Sequence, residues 1–457
     1  MKFFYLIFLF LISFISAQES QEKIIFAWQI NRHGARAPYL GVKDGIDIYG
    51  EKWTQIEELS DVGKRMLYLL GVRVRKRYVE KYGLLSQTYN PQEIYIRSTD
   101  VNRTIESIES FLQGLYPIGP TFKEKLLDIQ NLTYPPNQNY SGQFQDVIDK
   151  YNLNYGEPSA LPFNMSVQPV HLFYRPAHEF ELYNADLCKG HKEGYLERQK
   201  RDEVKRFGDN LLTKFPYFQE LENSKNKTFI QDYWTIYKYM DGFVCDETDQ
   251  RDFTLLKEKY SFNETQRELL KNFSKEFLWM DYLETNYPKD HPEISITAMS
   301  YTMHSLVNWM EKAIEGNKDI NSYIKYVIYS AHDSSIGALE SFMNYAFDLE
   351  VEYATFAETR YFELYYNPDD IEEKSPRVRY IKGNNEIKKD MSFEEFKKVI
   401  KEKAWTDEQV GEFCKFNEEE EEDDDDKKAL ILTLILSGID FILFIALILI
   451  FFLKHKN

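Results

Sequence analysis

Cysteine and positive charge are both scarce in this chain of 457 residues. Lysine and arginine number 56 against 74 aspartates and glutamates, which gives a formal net charge of -18 at pH 7. Such an acidic balance argues against nucleic-acid binding, because that function needs a basic surface. No group of residues has the spacing of metal ligands, so we expect neither a metal nor another cofactor.

The few cysteines are Cys188, Cys245 and Cys414. In a secreted protein an odd number leaves one thiol without a disulfide partner, and the sequence alone allows three pairings. Hydrophobic residues make up 43% of the chain, which is enough to form a large core. The length allows either one large domain with an insertion or two domains.

Both ends of the chain are apolar. Residues 1–17 start with Met-Lys, continue as an apolar run and end in small residues, which is typical of a secretory signal peptide cleaved after Ala17. A signal anchor is the alternative, and the polar residues after Ala17 disfavour it. Residues 429–453 are long enough to span a bilayer as a helix. A glycolipid-anchor signal would end in apolar residues, whereas this chain ends in the charged tail 454–457.

The segment 418–428 contains a run of nine acids and is too charged to pack, so we expect a solvated stalk. Asp440 is unusual because a carboxylate near the middle of a span is costly in lipid. Seven Asn-x-Ser/Thr triplets are candidate glycosylation sites and fit a domain outside the cytosol. They begin at Asn102, Asn131, Asn139, Asn164, Asn226, Asn263 and Asn272. Together these features predict a single-pass type I membrane protein.

The hydrophobic periodicity indicates an α/β domain over residues 18–417. Strands are predicted at 23–30, 93–96, 323–330, 353–356 and 361–366. Helices are predicted at 60–81, with Ser60 as N-cap, from 101 to about 112, and at 296–315. We expect a twisted, mostly parallel sheet with helices on its faces.

The pattern changes between about residues 116 and 292. Prolines cluster at its start, and long charged helical stretches follow at 189–215 and 264–282. This segment is predicted to be an inserted, mainly helical cap over the sheet.

Polar side chains follow three of the predicted strands, and parallel sheets bring such strand ends together. Two arginines flank one histidine after the first strand, and an arginine fork can bind phosphate oxygens two at a time. Taken alone, the Arg-His-Gly string at 32–34 could equally be a solvated loop with a surface histidine. The residues at the three strand ends are Arg32, His33, Arg36, Arg97, His332 and Asp333.

Three arginines, two histidines and one carboxylate suit phosphoryl transfer through a covalent enzyme intermediate. Arginines would hold the phosphate oxygens, a neutral imidazole would attack phosphorus, and a protonated carboxyl would supply the leaving group with a proton. Nearby arginine charges lower the pKa of both the histidine and the carboxyl group. We therefore expect activity in the acidic range.

Three strings in this order resemble the histidine acid phosphatase family, most of all its prostatic and lysosomal branch. They are RHGARAP at 32–38, YIRSTDVNRT at 95–104 and AHDSS at 331–335. The resemblance covers about residues 24–414 and implies a twisted α/β sheet with a helical cap and no metal. It implies hydrolysis of phosphate monoesters, with His33 as the nucleophile and Asp333 as the proton donor. The phosphate ligands it implies are Arg32, Arg36, Arg97 and His332.

The chain also departs from these relatives, which carry more cysteines. No cysteine near Phe356 is available to Cys245, so the comparison leaves Cys188 and Cys414 as the expected pair. The short tail lacks a tyrosine sorting signal, so the compartment is open between lysosome, endosome and cell surface. A homodimer is one option for the oligomeric state.

Other functions compete with this prediction. They are a phytase-like enzyme with a narrower substrate, a relative of phosphoglycerate mutase, and a catalytically inactive membrane glycoprotein of the same fold.

Overall fold

A computed structural model describes the body of the chain. It covers residues 22–39, 53, 56–117, 171–173, 188–191, 194, 199, 202–215, 217–218, 233–251, 253–260, 262–281, 287–316, 324–367, 375–383 and 386–414. Within these ranges no helix has both the length and the apolar character needed to cross a bilayer. The predicted signal peptide, stalk, span and tail lie outside the described residues, as do Asn131, Asn139, Asn164 and Asn226.

One sheet of seven strands forms the centre of the fold. Its strands are β1 (Lys23–Arg32), β2 (Ile94–Thr99), β3 (His171–Phe173), β4 (Tyr326–Ala331), β5 (Thr359–Tyr366), β6 (Arg377–Lys382) and β7 (Glu386–Ser392). Their order across the sheet is β3-β2-β4-β1-β5-β6-β7. Four of the predicted strands are confirmed with shifted ends.

The sheet is mixed, so the expectation of a mostly parallel sheet is wrong. β1, β2, β3 and β4 pair in parallel, whereas β5, β6 and β7 continue the sheet in antiparallel pairs. Only residues 367–376 and 383–385 separate the last three strands. Antiparallel neighbours can be joined by such short connections, while parallel neighbours need a longer crossover. The charged strands β6 and β7 escaped prediction because they lack an apolar run.

The predicted strand at 353–356 is also wrong. These residues belong to an irregular segment, 348–358, between β5 and the helix before it, which we call the site loop. Its last residues are bonded to the end of β1, because the Ala357 amide donates to the His33 carbonyl and the Arg32 amide donates to the Glu358 carbonyl, but residues 353–356 form no strand. Ala357 has a φ of 59°, which a regular strand does not allow.

Helices cover both faces of the sheet. One face holds α1 (Asp61–Val74), which continues as a π-helix (Arg75–Lys81), and α2 (Asn102–Leu115). The other face holds α7 (Pro292–Gly316), α8 (Asp333–Phe347) and α9 (Phe393–Lys403), and α10 (Asp407–Cys414) follows. The Ser60 side chain accepts a hydrogen bond from the Gly63 amide, which confirms the predicted N-cap of α1.

Four further helices lie in the predicted cap segment. They are α3 (Asp202–Lys214), α4 (Tyr233–Thr248), α5 (Thr254–Tyr260) and α6 (Glu264–Met280). Their aromatic side chains form a core of their own, separate from the two cores against the sheet. The same segment contributes the short edge strand β3, which the sequence did not reveal because only three residues pair.

A disulfide joins Cys188 to Cys414, the pair expected from the family resemblance. It links the cap segment to the last helix of the domain, α10. The third cysteine, Cys245, is a buried free thiol in α4. Among the candidate glycosylation sites, Asn102, Asn263 and Asn272 are exposed.

Candidate active site

The ends of three parallel strands meet at one edge of the sheet. Arg32 at the end of β1 stands in register with Ala331 at the end of β4. Ser98 of β2 is in register with Ser330 of β4, so Thr99 ends its strand at the same level. The predicted convergence of strand ends is therefore confirmed. It brings the rings of His33 and His332 to 5.7 Å between their centres and pairs Arg32 with Asp333.

His33 is buried, with 1% of its surface exposed. Its Nδ1 lies 2.8 Å from the Gly34 carbonyl oxygen, and a carbonyl can only accept, so Nδ1 carries the proton. In the neutral ring the lone pair is then on Nε2. Gly34 is required at the next position because a Cβ there would lie 2.4 Å from the Gly63 carbonyl oxygen.

Positive charge and burial hold His33 in this neutral form. Burial, followed by the charges of Arg32, Arg103 and Arg36, places its pKa well below the usual 6.5. A neutral imidazole with an available lone pair in acid is what a nitrogen nucleophile requires.

Arg32 is anchored on several sides. Its Nη2 forms a 2.7 Å ion pair with Asp333, and its Nη1 donates to the Tyr353 hydroxyl at 3.1 Å and the Ala354 carbonyl at 2.8 Å. The guanidinium carbon lies 4.2 Å from the centre of the Phe356 ring. Three residues of the site loop thus fix the direction of this arginine.

Arg36 is held by α4. Both terminal nitrogens of its guanidinium bind the Asp241 carboxylate of α4, at 3.0 and 2.9 Å. The same carboxylate accepts the Tyr39 amide at 2.9 Å. Asp241 was not predicted, since 205 residues separate it from Arg36 and no local pattern marks it.

Arg97 lies within β2 rather than at its end. The strand was expected to stop at Ile96 but continues to Thr99, and Arg97 pairs with Tyr329 inside the sheet. The side chain at the strand end is Thr99, whose hydroxyl lies 2.9 Å from Nε2 of His332. The phosphate-binding role of Arg97 stays a prediction.

Arg103 is the arginine that sequence reasoning missed. It follows the first residue of α2, and its charge lowers the pKa of both His33 and His332. Its Nη1 donates to Glu57 at 2.9 Å, and 16% of its side chain is exposed. The string YIRSTDVNRT contains both Arg97 and Arg103, and the expected end of the strand at Ile96 favoured Arg97.

His332 and Asp333 lie at the junction between β4 and α8. Burial and the charge of Arg103 lower the pKa of His332 to about 3, so this ring is neutral. Asp333 is the first residue of α8. Burial alone would raise the pKa of its carboxyl group, but the charges of Arg32 and Arg36 outweigh burial and lower it.

Known proteins resemble this chain in sequence and in fold. Over 364 residues the chain is 27% identical to lysosomal acid phosphatase of Xenopus laevis, covering 78% of this chain and 69% of that one. It is 37% identical over 121 residues to putative acid phosphatase 11 of Caenorhabditis elegans, 26% of this chain and 27% of the relative. The structure of Hafnia alvei phytase with tartrate covers 84% of this chain and 98% of its own, with a TM-score of 0.53 and 10% identity. At that identity the likeness establishes the fold only.

A family model matches most of the described domain. It corresponds to the histidine phosphatase superfamily, branch 2, and aligns with residues 23–381. The matched range contains His33, Asp333 and the arginines around them. This chain therefore belongs to branch 2 of the histidine phosphatase superfamily.

Proposed function

We propose that this protein is an acid phosphatase that hydrolyses phosphate monoesters through a phosphohistidine at His33. The observation that carries the proposal is a buried, neutral imidazole surrounded by arginines, with a carboxyl group on the neighbouring strand end. The acid phosphatase names of its sequence relatives support the same activity.

The first step would form the covalent intermediate. Arg32, Arg36 and Arg103 hold the charged oxygens of the phosphoryl group, and neutral His332 can donate a further hydrogen bond. Nε2 of His33 attacks phosphorus, and the bond to the leaving oxygen breaks. Asp333, in its protonated form, gives that oxygen its proton, so an alcohol departs.

The second step would regenerate the enzyme. The Asp333 carboxylate takes a proton from water, whose oxygen attacks the phosphohistidine. The bond between nitrogen and phosphorus breaks, inorganic phosphate leaves, and His33 is neutral again. Both steps use the same carboxyl group, first as an acid and then as a base.

A direct test is turnover of p-nitrophenyl phosphate by the purified domain, together with trapping of label from a radioactive phosphate ester. His33→Ala should abolish turnover and trapping while thermal unfolding shows an intact fold. Labelling retained in that variant would contradict the assignment of His33. A panel of phosphomonoesters that includes phytate would decide between broad and narrow substrate scope.

We further propose that residues 18–417 form a domain outside the cytosol, with the cap at about 116–292, anchored by residues 429–453. The apolar ends, the acidic stalk and the seven glycosylation triplets support this topology. A chain that ends at Asn417 should be secreted, soluble and active. If it remained in membranes after alkaline carbonate extraction, the C-terminal segment would not be the anchor.

A further inference from the structure

Glu340 is a buried carboxylate behind the candidate active site that the proposed chemistry does not use. It lies in α8, and only 1% of its side chain is exposed. One oxygen accepts from Arg360 Nε at 2.6 Å and the Tyr380 hydroxyl at 2.7 Å. The other accepts from Lys382 Nζ at 2.6 Å and the Glu352 amide at 3.0 Å.

Glu340 and its two cations fasten the site loop at two points. At the first point, Glu340 binds the Glu352 amide, and Lys382 donates to the Glu350 carbonyl at 2.7 Å. At the second, Arg360 Nη1 donates to the Glu358 carboxylate at 3.2 Å. The loop is thus tied to α8, β5 and β6 on both sides of its middle.

The middle of the same loop supplies the contacts of Arg32. Tyr353, Ala354 and Phe356 are its partners, and all three lie between the two fastened points. The direction of the Arg32 guanidinium therefore depends on where the loop lies. A shift of the loop would move the Arg32 guanidinium relative to the phosphate and to Asp333, its ion-pair partner.

Stability alone is a poor reason for this arrangement. Burying a carboxylate between two cations carries a desolvation penalty that a well-packed apolar cluster would avoid. We propose that Glu340 is a positioning residue, whose carboxylate holds the site loop so that Arg32 points at the phosphate. The proposal rests on the phosphatase function proposed above and adds a determinant of phosphate affinity to it.

The test is Glu340→Gln in the full domain, with inorganic phosphate as the probe. The amide keeps the shape but loses the charge and one accepting oxygen. Either Arg360 and Tyr380 or Lys382 and the Glu352 amide then lose their acceptor, so one of the two fastened points is weakened. The inhibition constant for phosphate and the KM for p-nitrophenyl phosphate should rise about three- to tenfold, which is the loss of about one positioned hydrogen bond. The fall in kcat should be smaller than the rise in KM.

Glu363→Gln is the matched control. Glu363 is as deeply buried and binds Arg77, Tyr78 and Arg379, but it lies on the opposite face of the sheet and does not touch the site loop. It should lower the melting temperature and leave phosphate inhibition unchanged. If both variants raised the inhibition constant equally, or neither did, the positioning role would be overturned.

A double-mutant cycle with Arg32→Lys tests whether the effect passes through Arg32. In that background Glu340→Gln should no longer weaken phosphate binding, and full additivity would overturn the proposal. If Glu340→Gln did not fold, Glu340→Gln/Lys382→Gln, which also removes one buried cation, would replace it, and an unchanged inhibition constant would be a refutation. A wild-type protein without turnover would instead contradict the proposed function itself.

Discussion

Replacing Asp333 by asparagine should move turnover and phosphate binding in opposite directions. Asparagine keeps the shape of the side chain but cannot give a proton to the leaving oxygen. General acid catalysis contributes about 10²- to 10⁴-fold, so an alkyl phosphate should be slowed by about that factor. p-Nitrophenolate leaves without needing a full proton, so its ester should be slowed far less.

The gain in phosphate affinity comes from charge. In the wild type the Asp333 carboxylate occupies Nη2 of Arg32 at 2.7 Å and repels an incoming phosphate. Two unit charges about 4 Å apart interact by about 4 kcal/mol at an effective dielectric constant near 20. A quarter of the Asp333 side chain is exposed, so solvent screening reduces this to about 1–2 kcal/mol. Phosphate should therefore bind about tenfold more tightly to Asp333→Asn.

Both effects can be measured on one preparation of Asp333→Asn. Calorimetric titration gives the affinity for inorganic phosphate, and steady-state kinetics give the turnover of alkyl and nitrophenyl esters. Thermal unfolding serves as the control for an intact fold. Equal slowing of alkyl and nitrophenyl esters would show that Asp333 is not the proton donor. Unchanged or weaker phosphate binding would show that the ion pair does not compete with the ligand.

Three further predictions use the same preparation. Arg103→Gln should raise the KM for phosphate esters more than Arg97→Gln, because the charge of Arg103 reaches both histidines. The reverse order would show that Arg97 is the more important phosphate ligand. In a pH–rate profile, kcat/KM should decline as pH rises through the acidic range, because Asp333, the general acid, has a lowered pKa. Protonation of His33 should not reduce kcat/KM near pH 6.5, and a loss of activity below that pH that titrates there would contradict the lowered pKa of His33. The Cys188–Cys414 disulfide closes a loop of 226 residues, so reducing it should lower the free energy of unfolding by about 5.4 kcal/mol in the chain-entropy model. Denaturant titration measures this, and an unchanged midpoint would refute it.

The sequence was informative wherever chemistry is local. The strand before His33, the turn at Gly34 and the strand before Asp333 can each be read from a few neighbouring residues. The parallel pairing of β1 and β4 then places the residues that follow both strands at the same edge of the sheet. Strand ends are less certain, because nothing in the string after Ile96 opposes continuing the strand. That uncertainty placed Arg97 at the strand end in the prediction, whereas β2 continues to Thr99.

Partners from distant segments could not be predicted in the same way. Asp241 and Tyr353 reach Arg36 and Arg32 across more than two hundred residues, and only tertiary packing brings them together. The mixed sheet has the same cause, since the antiparallel pairing of β5 with β1 joins segments more than three hundred residues apart.

The bond between Asp241 and Arg36 has a consequence for protein engineering. The carboxylate belongs to α4 in the predicted cap segment, while the arginine belongs to the loop after β1. A chimera that receives the cap of another protein without an acid at this position would leave a buried guanidinium unpaired, at a cost of about 3–5 kcal/mol. This segment can therefore be exchanged between such domains only if the graft brings its own counter-ion for Arg36.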